Sequence, residues 1–151
     1  MPNQNSSPIK VSVCVPTYNH EKFIGQMLES AVHQQTNFRY EIVIGDDGST
    51  DNAPRIIREY QEQYPHLIRA FLHTENQGPA TPREFAGRNN VLQLLKACQG
   101  EYVALCEGDD YWIDPLKLQK QVDFLDKNPS YAICHHNMIV RYEDGSAEHF
   151  F

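Results

Sequence analysis

The chain has 151 residues, 40% hydrophobic and 22% charged, which is the range of one globular domain with a core and excludes a disordered polymer. A formal net charge of −7 without a concentrated basic patch excludes a surface that coats nucleic acid, because the polyanion would be repelled. Cys14, Cys98, Cys106 and Cys134 are scattered and form no CxxC pair, so neither a disulfide scaffold nor a zinc centre is indicated, and reduced, buried thiols are expected.

Residues 1–8 are polar and contain two prolines, without the basic start and apolar stretch of a signal peptide, and they read as a flexible lead-in. The chain is therefore expected in the cytoplasm. No apolar run approaches the roughly 20 residues that span a bilayer. Peripheral association at the inner face of the cell membrane is the membrane contact left open.

Ile9–Val15 is a β-branched run that meets Pro16, which predicts a buried strand followed by a loop. A helix is expected over Glu21–Gln35, with Ile24, Met27, Leu28, Ala31 and Val32 on one face and the acidic Glu21 in the first turn. Tyr40–Ile44 predicts a second strand, running into Gly45-Asp46-Asp47-Gly48-Ser49-Thr50-Asp51. The helix after it carries Ile56, Ile57, Tyr60 and Tyr64 on one face and takes its cap from Ser49–Asn52. Leu67–His73 reads as a third strand, and Thr74–Gly87 as a Gly- and Pro-containing loop. Val91, Leu94, Leu95 and Cys98 mark a third helix ended by Gly100. A fourth strand over Tyr102–Cys106 follows. Pro115 opens a fourth helix, with Leu118, Val122 and Leu125 at helical spacing until Asn128-Pro129. Tyr131–Tyr142 reads as a strand, and Glu143-Asp144-Gly145-Ser146 as a hairpin turn into a last short strand. Strand and helix thus alternate about four times, the pattern of an α/β fold with a mainly parallel sheet flanked by helices on both faces. Residues 9–151 are read as one domain.

The chemistry concentrates where strands end. Tyr102–Cys106 runs directly into Glu107-Gly108-Asp109-Asp110, three carboxylates around a glycine. Charges this close repel one another unless a cation or strong donors offset them, so the cluster points to a divalent metal. In an extended chain Glu107 and Asp109 would share one face. Ligands of open parallel sheets bind outside the carboxyl ends of the strands. Pro16-Thr17-Tyr18-Asn19, Asp46-Asp47-Gly48-Ser49 and the acidic cluster would all converge there. The Tyr18 ring could stack on a base and Asp47 could accept from a base N–H. Each signal has a bland counterpart: the Asp46–Asp51 run is also an ordinary turn with a helix cap, the acidic turn could cap the next helix, and Trp112 reads as a packed anchor. His135 and His136 face opposite ways on a strand, with one buried in the core, and the other histidines, His20 among them, default to the surface.

Val13-Cys14-Val15-Pro16-Thr17-Tyr18-Asn19, Asp46-Asp47-Gly48-Ser49-Thr50-Asp51, Asn76-Gln77-Gly78 and Gly100-Glu101-Tyr102 leading to Glu107-Gly108-Asp109-Asp110 together resemble the nucleotide-binding half of family 2 glycosyltransferases, from Ile9 to about Asn137. The resemblance implies a Rossmann-like GT-A fold and a nucleotide-diphosphate sugar as donor, a UDP-sugar foremost. It places Pro16, Tyr18 and Asp47 at the nucleobase, Glu107 at the ribose, Arg88 in preference to Arg83 at the diphosphate, and Asp109 on Mn2+ or Mg2+. Glutamate stands at the first position of the family's Asp-x-Asp motif, which keeps the carboxylate. The implied partner is a glycan or lipid-linked acceptor, as in bacterial surface polysaccharide synthesis. The family's acceptor half and catalytic base lie well downstream, so the chain reads as a truncated form of the fold, and Glu143, Asp144 and Glu148 on a hairpin are poor substitutes for a positioned base. The alternative is a nucleotide-sugar-binding module without transfer activity. A nucleotidyltransferase would begin with a Gly-rich loop and a basic residue after its first strand, and Pro16–His20 supplies neither.

Overall fold

The computed structural model describes residues 7–78, 87–142 and 149–150. Its elements are β1 (Ile9–Thr17), α1 (Ile24–Val32), β2 (Arg39–Asp46), α2 (Ala53–Gln63), β3 (Ile68–Leu72), α3 (Arg88–Ala97), β4 (Tyr102–Leu105), α4 (Lys117–Lys127), β5 (Ile139–Val140) and β6 (His149–Phe150). Contacts divide the chain into two units, Met1–Gln119 and Lys120–Phe151, with α4 crossing the division. Most of the lead-in, the loop at 79–86, and Glu143, Asp144 and Glu148 with the expected hairpin turn lie outside the described residues.

In the first unit β1 to β4 form one parallel sheet in the order β3-β2-β1-β4, as the alternation of strands and helices predicts. Val11, Val13 and Val15 of β1 and Ile42, Val43 and Ile44 of β2 are buried, which fits central strands covered on both faces. α3 lies against β1 and β2, α2 against β3, and α1 against α2. The chain steps from β1 outward to β2 and β3, then returns to the other side of β1 for β4. The carboxyl ends of β1 and β4 therefore flank the point where the winding direction reverses, the place where open sheets of this kind leave a crevice.

Both central strands are longer than their apolar runs. β1 continues through Pro16 to Thr17 in register with Gly45 and Asp46 of β2. A proline is tolerated there because its missing N–H faces β4, whose ladder with β1 has ended at Cys14 and Leu105. α1 begins at Ile24, later than the periodicity predicts, and Glu21 does not serve its first turn. The Glu21 carboxylate instead accepts from the Asn52 amide at 2.8 Å. On α3 the buried residues are Asn90 and Leu94, while Leu95 is exposed. In the second unit Tyr131–Met138 carries no strand, and only Ile139–Val140 pairs, antiparallel, with His149–Phe150. His135 and His136 are both exposed, so the expected core histidine is corrected.

The amino end of the sheet is held by a buried polar network. Glu41, 4% exposed, accepts from the Ser12 hydroxyl at 2.7 Å and the Gln99 amide at 2.8 Å. Ser12 Oγ also accepts from the Gly100 amide at 2.8 Å, and Arg69 Nε stands 3.5 Å from the Glu41 carboxylate. One carboxylate thereby ties β1, β2, β3 and the turn from α3 into β4. Its removal leaves the buried Ser12 hydroxyl without its acceptor, the Gln99 amide with only Ser12 Oγ at 3.0 Å, and Arg69 without its counter-charge, the lost acceptor alone costing about 1–3 kcal/mol. Glu41→Ala is expected to lower stability by about 3 kcal/mol, read as a fall in Tm of about 6–12 °C. A variant that melts with the parent chain would remove Glu41 from this role.

Candidate functional site at the carboxyl ends of the strands

Three loops meet at the carboxyl rim through backbone hydrogen bonds that extend the sheet. The Asp47 amide donates to Thr17 O at 3.0 Å, which sets the turn after β2 beside the end of β1. On the other side, Cys106 N donates to Cys14 O at 3.1 Å and Gly108 N to Pro16 O at 3.0 Å, so the acidic loop keeps bonding to β1 after β4 has ended. Gly108 is required by that approach: a Cβ there would lie 2.3 Å from Thr17 Oγ1 and 2.8 Å from His20 Nδ1. Gly48, at φ 75°, turns away from β2, and a Cβ there would meet the Glu75 and Asn76 backbone at 2.5–2.6 Å.

The two adjacent aspartates after β2 divide their work. Asp46, fully buried, accepts from the Ser49 amide at 2.9 Å and from the Ser49 hydroxyl, which closes the turn. Asp47 is 1% exposed; its Oδ1 accepts from the Gln77 amide at 2.7 Å, and its Oδ2 is buried with no hydrogen-bond partner among the described residues. A buried carboxylate oxygen without a donor is costly. It has capacity for one more N–H or O–H donor.

Tyr18 is 45% exposed on the loop after β1, next to the residue that receives the Asp47 amide. That loop is laced to the one after β2 by reciprocal bonds. Asn19 N donates to Ser49 Oγ at 2.8 Å, and Asn19 Oδ1 accepts from Thr50 N at 2.8 Å. Glu21 N donates to Asp51 Oδ2 at 2.8 Å, while Asp51 Oδ1 accepts from Ala53 N at 3.0 Å and so serves the first turn of α2. Asn19 holds a left-handed φ of 57°, a conformation asparagine tolerates better than most residues. Arg88 is exposed at the first position of α3, whose amino end is fastened by Asn89 Nδ2 to Gln77 O at 2.6 Å and by Asn90 Nδ2 to Gly45 O at 2.8 Å. Pro16, Tyr18, Asp47, Arg88, Glu107 and Asp109 thus belong to one connected rim.

The acidic loop differs from the extended chain expected of it. Asp110 N donates to Glu107 O at 3.1 Å, so Glu107–Asp110 is a turn, and strand alternation does not set the facing of Glu107 and Asp109. Glu107, Asp109 and Asp110 are exposed, whereas Cys106 and Gly108 are buried. Burial, reinforced by the Asp110 carboxylate, pushes the Cys106 thiol up to about 12, which keeps it neutral. Trp112 is the packed anchor the bland reading expects: its amide donates to Ser30 Oγ at 3.1 Å, and Lys117 Nζ lies 3.9 Å over its ring. Gln34 then fixes the chain beyond, donating to Asp114 O at 3.0 Å and accepting from Leu118 N at 3.1 Å.

His20, assigned by default to the surface, lies under the acidic loop. Its Nδ1 is 3.2 Å from Thr17 Oγ1 and its Nε2 is 3.9 Å from Asp109 Oδ2. No sequence pattern marks it, because the contact arises only when β4 is laid beside β1. Among the described residues no three His, Cys, Asp or Glu side chains gather into a metal-holding group. Hard cations that keep several waters and take phosphate oxygens need only one or two protein carboxylates. The exposed Asp109 fits that requirement.

The sequence profile of glycosyl transferase family 2 matches residues 12–149. An uncharacterised protein of Mycobacterium tuberculosis is 45% identical over 141 residues, 93% of this chain and 38% of that protein. TarS of Staphylococcus aureus, a poly(ribitol-phosphate) beta-N-acetylglucosaminyltransferase, is 36% identical over 123 residues, 81% of this chain and 20% of that one. The crystal structure of S. aureus TarS 1–349 in complex with UDP superposes with a TM-score of 0.62 at 33% identity, covering 80% of this chain and 33% of that one. The mannosyltransferase PcManGT from Pyrobaculum calidifontis, in complex with GDP-Man and Mn2+, gives 0.64 at 27% identity, over 83% and 34%. The chain spans well under half the length of each of these relatives. With its parallel sheet flanked by helices in the GT-A manner, this chain belongs to glycosyl transferase family 2.

Proposed function

We propose that residues 9–151 form the part of a glycosyltransferase that binds a nucleotide-diphosphate sugar, a UDP-sugar foremost, for transfer to a glycan or lipid-linked acceptor in bacterial surface polysaccharide synthesis. The observation that carries this reading is the buried Oδ2 of Asp47, without a hydrogen-bond partner among the described residues, on a turn whose Asp47 amide bonds to Thr17 O, one residue before the exposed Tyr18. A buried acceptor and an exposed aromatic ring on two hydrogen-bonded loops are the two features needed to hold the edge and the face of a nucleobase. Support comes also from TarS, solved with UDP, and PcManGT, solved with GDP-Man and Mn2+.

In this reading Asp47 Oδ2 accepts a base N–H, Tyr18 stacks on the base and Pro16 lines its pocket. Glu107 accepts from the ribose, Arg88 pairs with the diphosphate, and Asp109 holds Mn2+ or Mg2+. The cation, when bound, supplies charge neutralisation at the departing diphosphate. The base that deprotonates the acceptor hydroxyl is not assigned. The reaction is placed in the cytoplasm, at the inner face of the membrane where a lipid-linked acceptor is used. Among the described residues no helix is long and apolar enough to cross a membrane.

Calorimetric titration of the chain with UDP, with and without MnCl2, tests the reading, and a donor hydrolysis assay then separates an active enzyme from a binding module. Asp47→Ala is expected to weaken UDP binding by about 1.5–3 kcal/mol, and Tyr18→Ala by about 1–3 kcal/mol. UDP affinities equal to the parent's in both variants would remove the base site from this rim. Asp109→Ala is expected to abolish the gain in UDP affinity that Mn2+ confers while leaving Tm unchanged, since its carboxylate is exposed. A full Mn2+ effect in that variant would move the cation elsewhere.

A further inference from the structure

His20 is more constrained than a surface histidine has reason to be. Its carbonyl accepts from both Phe23 N at 3.0 Å and Ile24 N at 2.9 Å, which fixes its backbone at the entry to α1. Its ring sits against Gly108, close enough that a Cβ on that glycine would come within 2.8 Å of Nδ1. Nδ1 is 3.2 Å from the hydroxyl of Thr17, a residue only 3% exposed. The opposite ring nitrogen lies 3.9 Å from Asp109 Oδ2, and both side chains retain solvent access.

We infer that His20 is a positioning residue for Asp109: with the Thr17 hydroxyl donating to Nδ1, the ring presents Nε2–H to one oxygen of the Asp109 carboxylate and leaves the other for a divalent cation. The two ring nitrogens of a histidine are chemically coupled, since the partner of one decides which of them carries the proton. A separation of 3.9 Å is closed by a small rotation of Asp109 when a ligand arrives, as such contacts commonly tighten in the complex. Partners of this kind around a ligating carboxylate orient it and typically change metal affinity by about 10- to 100-fold. The function of the ring is then to hold a solvent-exposed carboxylate, otherwise free to rotate, in one orientation. Gly108 is part of the device, because any side chain there would displace both Thr17 and His20.

The inference rests on the reading of this rim as a nucleotide and cation site, and two measurements keep the two apart. UDP affinity without metal reports the Asp47 and Tyr18 end alone. Mn2+ affinity in the presence of UDP, followed by the electron paramagnetic resonance signal of free Mn2+, reports the Asp109 end. His20→Phe keeps a ring and loses the donor, and is expected to weaken Mn2+ about 10-fold with metal-free UDP affinity and Tm unchanged. His20→Gln, whose amide can reach the place of Nε2, is expected to recover most of the loss. Thr17→Val is expected to follow His20→Phe, and Thr17→Ser to follow the parent; these two also decide the matter if His20→Phe folds poorly. Parental Mn2+ affinity in both His20→Phe and Thr17→Val overturns the positioning role. A loss that tracks Tm, without recovery by glutamine or serine, makes His20 a packing residue and overturns it equally. A parent chain that binds neither UDP nor Mn2+ overturns the proposed function, and the role of His20 with it.

Discussion

The geometry of the rim depends on β1 outlasting β4. β4 ends at Leu105, yet the next residues continue to donate to β1, Cys106 to Cys14 and Gly108 to Pro16. This holds a non-strand segment in sheet register for two more steps and delivers Glu107 and Asp109 to the end of the central strand. The approach is so close that no side chain fits at Gly108. Proline at 16 belongs to the same arrangement. It accepts from Gly108 through its carbonyl and has no N–H to be left unpaired on the side where the ladder has stopped.

Around that join the loops are secured by side chains rather than by core packing. Ser49 and Thr50 are fastened to Asn19, and Asp51 and Asn52 to Glu21 and its amide. Each bond is worth only about 1 kcal/mol net. Their value is geometric, since together they fix Tyr18 relative to Asp47. The opposite end of the sheet is anchored by the buried Glu41, which joins three strands and the turn into β4. A stiff amino end and a laced carboxyl end leave the polar groups at the rim held in place before any ligand arrives, which lowers the ordering cost of binding.

The parallel sheet was legible in the sequence because its central strands are runs of β-branched residues and its helices repeat their apolar faces. What misled was polar burial. Asn90, not Leu95, shares the inner face of α3 with Leu94, because its amide pairs with the Gly45 carbonyl, and an apolar count gives no weight to that bond. Glu41 resembles a solvent-facing strand residue until Ser12 and Gln99 are seen around it. Tyr131–Tyr142 has the composition of a strand, but composition cannot supply a partner, and only Ile139–Val140 finds one. At the rim the sequence pointed to three strand ends that the structure joins by backbone hydrogen bonds. It could not separate Asp46, which closes a turn, from Asp47, which has one oxygen unpaired among the described residues, since that distinction lies in which carboxylate reaches Ser49.

Charge explains why the two ends of the proposed site would act together. Glu107, Asp109 and Asp110 are exposed on one turn in a chain whose net charge is already −7. A diphosphate brought near them meets repulsion of about 1 kcal/mol per pair of unit charges at 4 Å in water, rising to about 4 at the effective dielectric of a protein surface. In the proposed arrangement Asp47 and Tyr18 would hold the base, and the phosphates would need that field offset. In the proposed site cation and nucleotide would then be coupled ligands, each raising the affinity for the other by the same factor. In such a site the orientation of the one carboxylate shared by cation and field matters more than the number of carboxylates, which is why the ring wedged between Thr17 and Asp109 is placed where it can govern binding without touching the nucleotide.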